Sequence, residues 1–132
     1  MLINSLPDRD GSRCTLTYDE HGPWLRAIWR GFVDQAEAIR GAENYLNHAG
    51  DFRCAALLND NLALHGPWFS SLEWLEWAWW PRAQHLGLRY VAHVVQADTH
   101  EDLLTLHFPH ALELQFFHQV CEAEDWLRSC PL

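Results

Sequence analysis

Hydrophobic and polar positions alternate with period two from Cys14 to Tyr18 and again from Trp24 to Arg30. In the second run Leu25, Ala27 and Trp29 share one face, and Arg26 and Arg30 take the other. The short turn Asp19-Glu20-His21-Gly22-Pro23 between the runs predicts a hairpin, an antiparallel pair with one side partly wet. The period then lengthens. Asp34, with Glu37 three residues on, has capping-box spacing, and Ile39, Ala42, Leu46 and Ala49 follow at helical steps until Gly50 supplies a stop. Phe52 to Leu58 carries Cys54-Ala55-Ala56-Leu57-Leu58 without polar alternation. A strand covered by helices on both faces has that pattern, so this run is expected to be central in the sheet.

Beyond Leu58 comes the stretch around which the chain is organised. Asn59-Asp60-Asn61 is expected where a strand's carboxyl end meets a loop. His65-Gly66-Pro67-Trp68 then opens a helix rich in indoles that Pro81 ends or kinks, and Gly87 stops the short remainder. On a helical wheel Trp68, Leu72, Leu75, Ala78 and Trp79 share the side that packs on a sheet, whereas Trp74, Trp77 and Trp80 do not. Three further indoles imply a second buried contact with a subunit, a partner or an apolar ligand. Leu88 to Gln96 predicts another central strand, and Thr99 to Leu106 a short capped helix. Leu112 to Phe116 predicts a half-exposed strand, and Val120, Ala123 and Leu127 mark a C-terminal helix. The expected order is β-β-α-β-α-β-α-β-α in one domain over residues 1–132, with residues 1–12 a loose start.

Composition narrows the function classes. A formal charge of -9, with nine scattered Arg and no Lys, excludes a phosphate-binding surface for nucleic acid, a P-loop and Schiff-base chemistry. The N-terminus has no signal-peptide pattern, and no apolar run approaches a membrane span, so a soluble cytoplasmic protein without membrane insertion is expected. Cys14, Cys54, Cys121 and Cys130 form no C-x-x-C pair and are expected to be free thiols, Cys54 a buried one.

Catalytic motifs are missing from the sequence. It has no G-x-S-x-G, no glycine-rich phosphate loop and no spaced carboxylate pair, and a thiol at Cys54 beside His93 or Asp60 would lack the exposure a nucleophile needs. His100, His107 and His110 are the densest histidines, but Pro109 breaks their presentation, so neither a metal nor a cofactor is expected. His93, inside a strand, reads as a hydrogen-bonded core residue. Asn59, Asp60, Asn61, His65 and Trp68 are the candidate polar mouth of an aromatic pocket, because open α/β sheets place ligands at the carboxyl ends of their strands. The alternative for the Asn-Asp-Asn run is an Asx turn that satisfies its own backbone.

The order of elements in a chain this short resembles the STAS family, the SpoIIAA-like fold, and more closely small uncharacterised bacterial STAS/SEC14-like proteins. The resemblance is carried by Trp29-Arg30-Gly31, Leu58-Asn59-Asp60-Asn61, Gly66-Pro67-Trp68, Glu73-Trp74, Trp80-Pro81, Gly87-Leu88-Arg89-Tyr90, Ala123 and Trp126-Leu127, and covers roughly Cys14 to Arg128. It implies a mixed β-sheet flanked by helices. It also implies a non-enzymatic binding or regulatory module acting through protein contacts, with a carrier of a lipid or other small apolar ligand as the alternative; the surplus indoles add the expectation of a homodimer through the tryptophan helix, since a symmetric contact needs no other partner. Signalling members carry a phosphoacceptor serine where this chain has His65-Gly66-Pro67-Trp68, while Ser70 and Ser71 lie a turn later.

Overall fold

The computed structural model describes residues 2–7, 13–19, 22, 24–52, 54–65, 78–96 and 113–132. Their strands form one six-stranded sheet whose spatial order follows the sequence. The strands are β1 (Leu2–Pro7), β2 (Arg13–Asp19), β3 (Trp24–Phe32), β4 (Ala56–His65), β5 (Tyr90–Val94) and β6 (Glu113–Phe117). The first three pair antiparallel, and the pairs from β3 to β6 are all parallel. Among the described residues three helices accompany the sheet: α1 (Gln35–Phe52), α2 (Trp80–His85) and α3 (Val120–Ser129). A mixed sheet flanked by helices is therefore the architecture, as the order of elements implied.

Boundaries differ from expectation at the N-terminus, at Gly50 and in the strand expected over Phe52 to Leu58, which runs instead from Ala56 to His65. Residues 1–12 were expected to be loose, yet Leu2–Pro7 forms an edge strand on β2. An edge strand is specified by its neighbour's free backbone groups more than by its own side-chain pattern, and Pro7 suits such an edge. Gly50 does not stop α1, which runs to Phe52. Gly50 is exposed, and a Cβ there would meet only Leu86 Cδ2 at 3.8 Å, so the position makes no demand for a turn. The N-terminal signal holds: Asp34 Oδ1 accepts from Glu37 N at 2.9 Å. Gly87, with φ of 105°, ends the segment after α2 as expected.

The crossovers β3–α1–β4 and β4–α2–β5 both step the same way across the sheet, so helices of common handedness lie on one face. There α1 and α2 bury Ala42, Tyr45, Leu46, Trp79, Trp80 and Ala83 against Leu25, Ala27, Leu57 and Val91. On the opposite face α3 buries Ala123 and Leu127 against Leu58, Ala92 and Val94. Arg26 ties α3 to β3 through a 3.0 Å ion pair with Glu124. Each strand supplies alternate residues to the two layers, which is why the central strands read as apolar throughout.

One irregularity positions everything that follows. Ile28 pairs with Asp60 and Arg30 with Ala63, so Trp29 alone stands opposite Asn61 and Leu62, a bulge in β4. Leu62 N, displaced from the ladder, donates to Asp60 Oδ1 at 3.1 Å. On the other edge β5 pairs with β4 as far as Asp60–Val94. Past that point Gln96 Nε2 donates to the carbonyls of Leu62 at 2.8 Å and Leu64 at 3.2 Å.

Candidate functional site

Asn59 and Asn61 were expected at a strand–loop junction but lie inside β4, which continues to His65. Asparagine is a poor strand former. Here both side chains fall on the face covered by α1, beside Trp29 of β3 and His93 of β5, and they satisfy one another. Trp29 Nε1 donates to Asn59 Oδ1 at 2.9 Å, and Asn59 Nδ2 donates to Asn61 Oδ1 at 3.1 Å. His93 Nε2 lies 2.9 Å from Asn59 Nδ2 and 3.0 Å from Asn61 Nδ2.

The direction of this network follows from its first member. An indole N–H can only donate, so the Asn59 oxygen faces Trp29 and its nitrogen faces Asn61 and His93. Asn61 must then turn its oxygen to Asn59 and its nitrogen to His93. Among the described residues His93 Nε2 meets the two amide donors, which makes it the unprotonated nitrogen of a neutral imidazole. Burial acts the same way and pushes the His93 pKa down to about 4.

These polar groups form the floor of a half-enclosed cavity of ≈ 80 Å³, the volume open to the centre of a water-sized sphere. The walls are apolar. Ala38, Gly41, Ala42 and Tyr45 come from α1, Trp79 and Trp80 from the approach to α2 and its first residue, and Ala27, Val33, Leu57, Leu64 and Val91 from the strand side. Trp79 Nε1 donates to Ala42 O at 2.7 Å and thereby fixes the second helical segment to the first. Trp79 stacks at a tilt on Tyr45, with centroids 5.3 Å apart, and meets Trp80 edge-on at 4.9 Å. Burial raises the Tyr45 hydroxyl above its ordinary pKa, with the nearby Cys54 adding to the shift. The bulge in β4 adds one residue between Asn61 and Leu64, so both line the same cavity.

The expected site residues separate accordingly. Asn59, Asn61 and Trp80 line this cavity; Asp60 and His65 do not. Asp60 accepts the backbone N–H of Leu62, the Asx-type satisfaction weighed as its alternative. His65 ends β4 with an exposed side chain, and its carbonyl accepts from Val33 N at 2.8 Å. Trp68, Trp74 and Trp77 lie outside the described residues, as do Ser70, Ser71, His100, His107, His110 and the helix expected over Thr99 to Leu106.

Trp80 corrects the wheel. It was expected away from the covered side, yet it is 6% exposed and belongs to the main core. A π-helical turn at Ala78 and Trp79 shifts the phase of an ideal helix, and α1 covers a second side that the wheel ignores. Trp29, Tyr45, Gly41 and His93 were not expected in a site. The signal for His93 was available: Asn59, Asn61 and His93 share parity with Leu57 and Val91, which marks polar residues on a helix-covered face.

Other expected chemistry is constrained in the same way. Cys14 and Cys54 are buried free thiols, and burial pushes the Cys14 pKa up to about 12 and raises that of Cys54. Among the described residues no group of three or more His, Cys, Asp or Glu could hold a metal ion, and no helix is long and apolar enough to cross a membrane.

No family model matches the chain, and no curated protein matches it. Among solved structures it is similar to an uncharacterised protein of the DUF3478 family from Shewanella loihica PV-4, described as having a SpoIIAA-like fold. The TM-score is 0.56 at 18% identity, over 89% of this chain and 94% of that one.

Proposed function

We propose that this chain, whose fold is SpoIIAA-like, is a non-enzymatic binding module that holds a small, mainly apolar molecule in the cavity between the sheet, α1 and α2, over Trp29, Asn59, Asn61 and His93. The observation that carries the reading is the cavity itself, with aromatic and aliphatic walls and a few convergent polar groups at the floor. The lining supports binding over catalysis: among the described residues it contains neither thiol nor carboxylate, and its imidazole is held neutral with Nε2 occupied by amides.

Native mass spectrometry of protein purified from its source tests this. Extra mass that is lost on denaturation is the expected result. A mass equal to the polypeptide alone, with no small molecule extracted, counts against it.

Phe32 and Leu62 favour a second reading, a regulatory module that docks a protein or a second copy of itself. Both are large exposed apolar residues, 50% and 39% accessible, near the carboxyl ends of neighbouring strands. Trp80, buried in its own subunit, no longer supports that contact. Light scattering after size exclusion, on wild type and Phe32→Ser, is the test. A concentration-independent monomer in both removes self-association.

A further inference from the structure

Among the described residues the cavity floor leaves one hydrogen-bond donor without an acceptor. Trp29 brings one N–H, and Asn59 and Asn61 bring two each. The acceptors they meet are Asn59 Oδ1, Asn61 Oδ1 and the single lone pair of His93 Nε2. Asn59 and Asn61 share that lone pair, and the second Nδ2 hydrogen of Asn61 has no partner among the described residues. Asn61 is only 5% exposed, so bulk water does not relieve it. A buried donor without an acceptor is costly, so whatever completes this floor must accept.

The sign of charge on that acceptor is also constrained. Among the described residues no Arg, Asp or Glu lines the cavity. Cationic help from His93 is unavailable while its Nε2 accepts from amides, and the nearby N-terminus of α1 is already capped by the Asp34 carboxylate. A carboxylate placed here would be buried without a counter-charge, whereas a carbonyl oxygen would not. The rings of Tyr45, Trp79 and Trp80 give the space above the floor flat walls.

We infer that the cavity takes an uncharged, flat, ring-bearing molecule that presents a carbonyl oxygen to Asn61. This rests on the reading of the cavity as a ligand site and narrows its ligand class to neutral carbonyl compounds, excluding fatty acids and other apolar anions.

Three probes of one shape test it: 1-indanone, indane and indane-1-carboxylate, titrated calorimetrically and followed by the side-chain amide resonances of Asn59 and Asn61. The expected result is saturable binding of 1-indanone with a shift of the Asn61 amide. Indane should bind about 5- to 10-fold more weakly, the worth of one buried hydrogen bond, and the carboxylate more weakly still. In Asn61→Leu the ketone should lose its advantage over indane. Should that variant fail to fold, the ratio of ketone to hydrocarbon in the wild type decides alone. Indane binding as tightly as the ketone, or the carboxylate binding best, overturns the inference while leaving the cavity a ligand site. Binding of none of the three also overturns it, with water left as the completing acceptor, and the reading of the cavity then rests on the mass of the source-purified protein.

Discussion

Trp29 Nε1 donates to Asn59 Oδ1 at 2.9 Å, and this bond between neighbouring strands sets the orientation of both amides and the tautomer of His93. Trp29→Phe keeps most of the ring and removes the donor. Asn59 Oδ1 then faces the core without its partner, and the amide is free to turn over. A loss of about 1–3 kcal/mol in urea denaturation is expected, the cost of stranding a partly buried polar group. The side-chain amide resonances of Asn59 should broaden or shift in the same variant.

His93 makes stability depend on pH. Its pKa falls from the ordinary 6.5 to about 4 in the folded chain through burial. Between those values the unfolded chain binds the proton and the folded chain resists it, so stability is complete above 6.5 and is lost as pH falls toward 4. The contribution is up to about 3 kcal/mol at 1.36 kcal/mol per unit. Other groups titrate in the same range, so the comparison is with His93→Gln, which keeps an acceptor but cannot titrate. Urea midpoints between pH 7 and pH 4 should fall more steeply for wild type than for the variant, and equal slopes would contradict the assignment.

Asp60 serves the site without lining it. Its carboxylate holds the N–H of Leu62, which the bulge takes out of the ladder, and the bulge sets the direction of Asn61. Asp60→Ala is expected to cost about 1 kcal/mol and to perturb the Asn61 amide, whereas Asp60→Asn, which retains an oxygen at that position, should recover most of both. Chemical denaturation together with the amide spectrum separates this from a surface effect, since loss of charge alone would treat the two substitutions alike.

The layers of the fold were legible because they depend on periodicity. The alternation in β2 and β3, the apolar runs of β4 and β5 and the Asp34–Glu37 cap each matched the pattern that specified them. The Asn59-Asp60-Asn61 run was recognised as special but misplaced, because three consecutive polar residues look like a turn unless their partners are known. Those partners, Trp29 and His93, are 30 and 34 residues from Asn59 in sequence, a separation no local pattern encodes. Trp80 was misplaced for a different reason. A wheel assumes ideal helical phase and one covered side, and the chain departs from both at Ala78 and Trp79. The extent of β1 was illegible because its pairing is a property of the backbone of β2.

Gly41 tests whether the indole of Trp29 is held as firmly as these bonds imply. It lies within α1, where replacing glycine by alanine ordinarily gains about 1 kcal/mol. Here the added Cβ would fall on the ring of Trp29, so one of the two must move. Trp29 is fastened to Asn59 at its nitrogen and packed between α1 and the sheet, so it cannot swing aside without breaking the network. Gly41→Ala is therefore expected to destabilise by about 1–3 kcal/mol, the usual cost of overpacking. In a Trp29→Phe background the colliding part of the ring is gone, and the same substitution should become neutral or stabilising. A double-mutant cycle in urea reads this directly. If Gly41→Ala has the same effect in both backgrounds, the indole is not the obstacle and the cavity wall is softer than its geometry indicates.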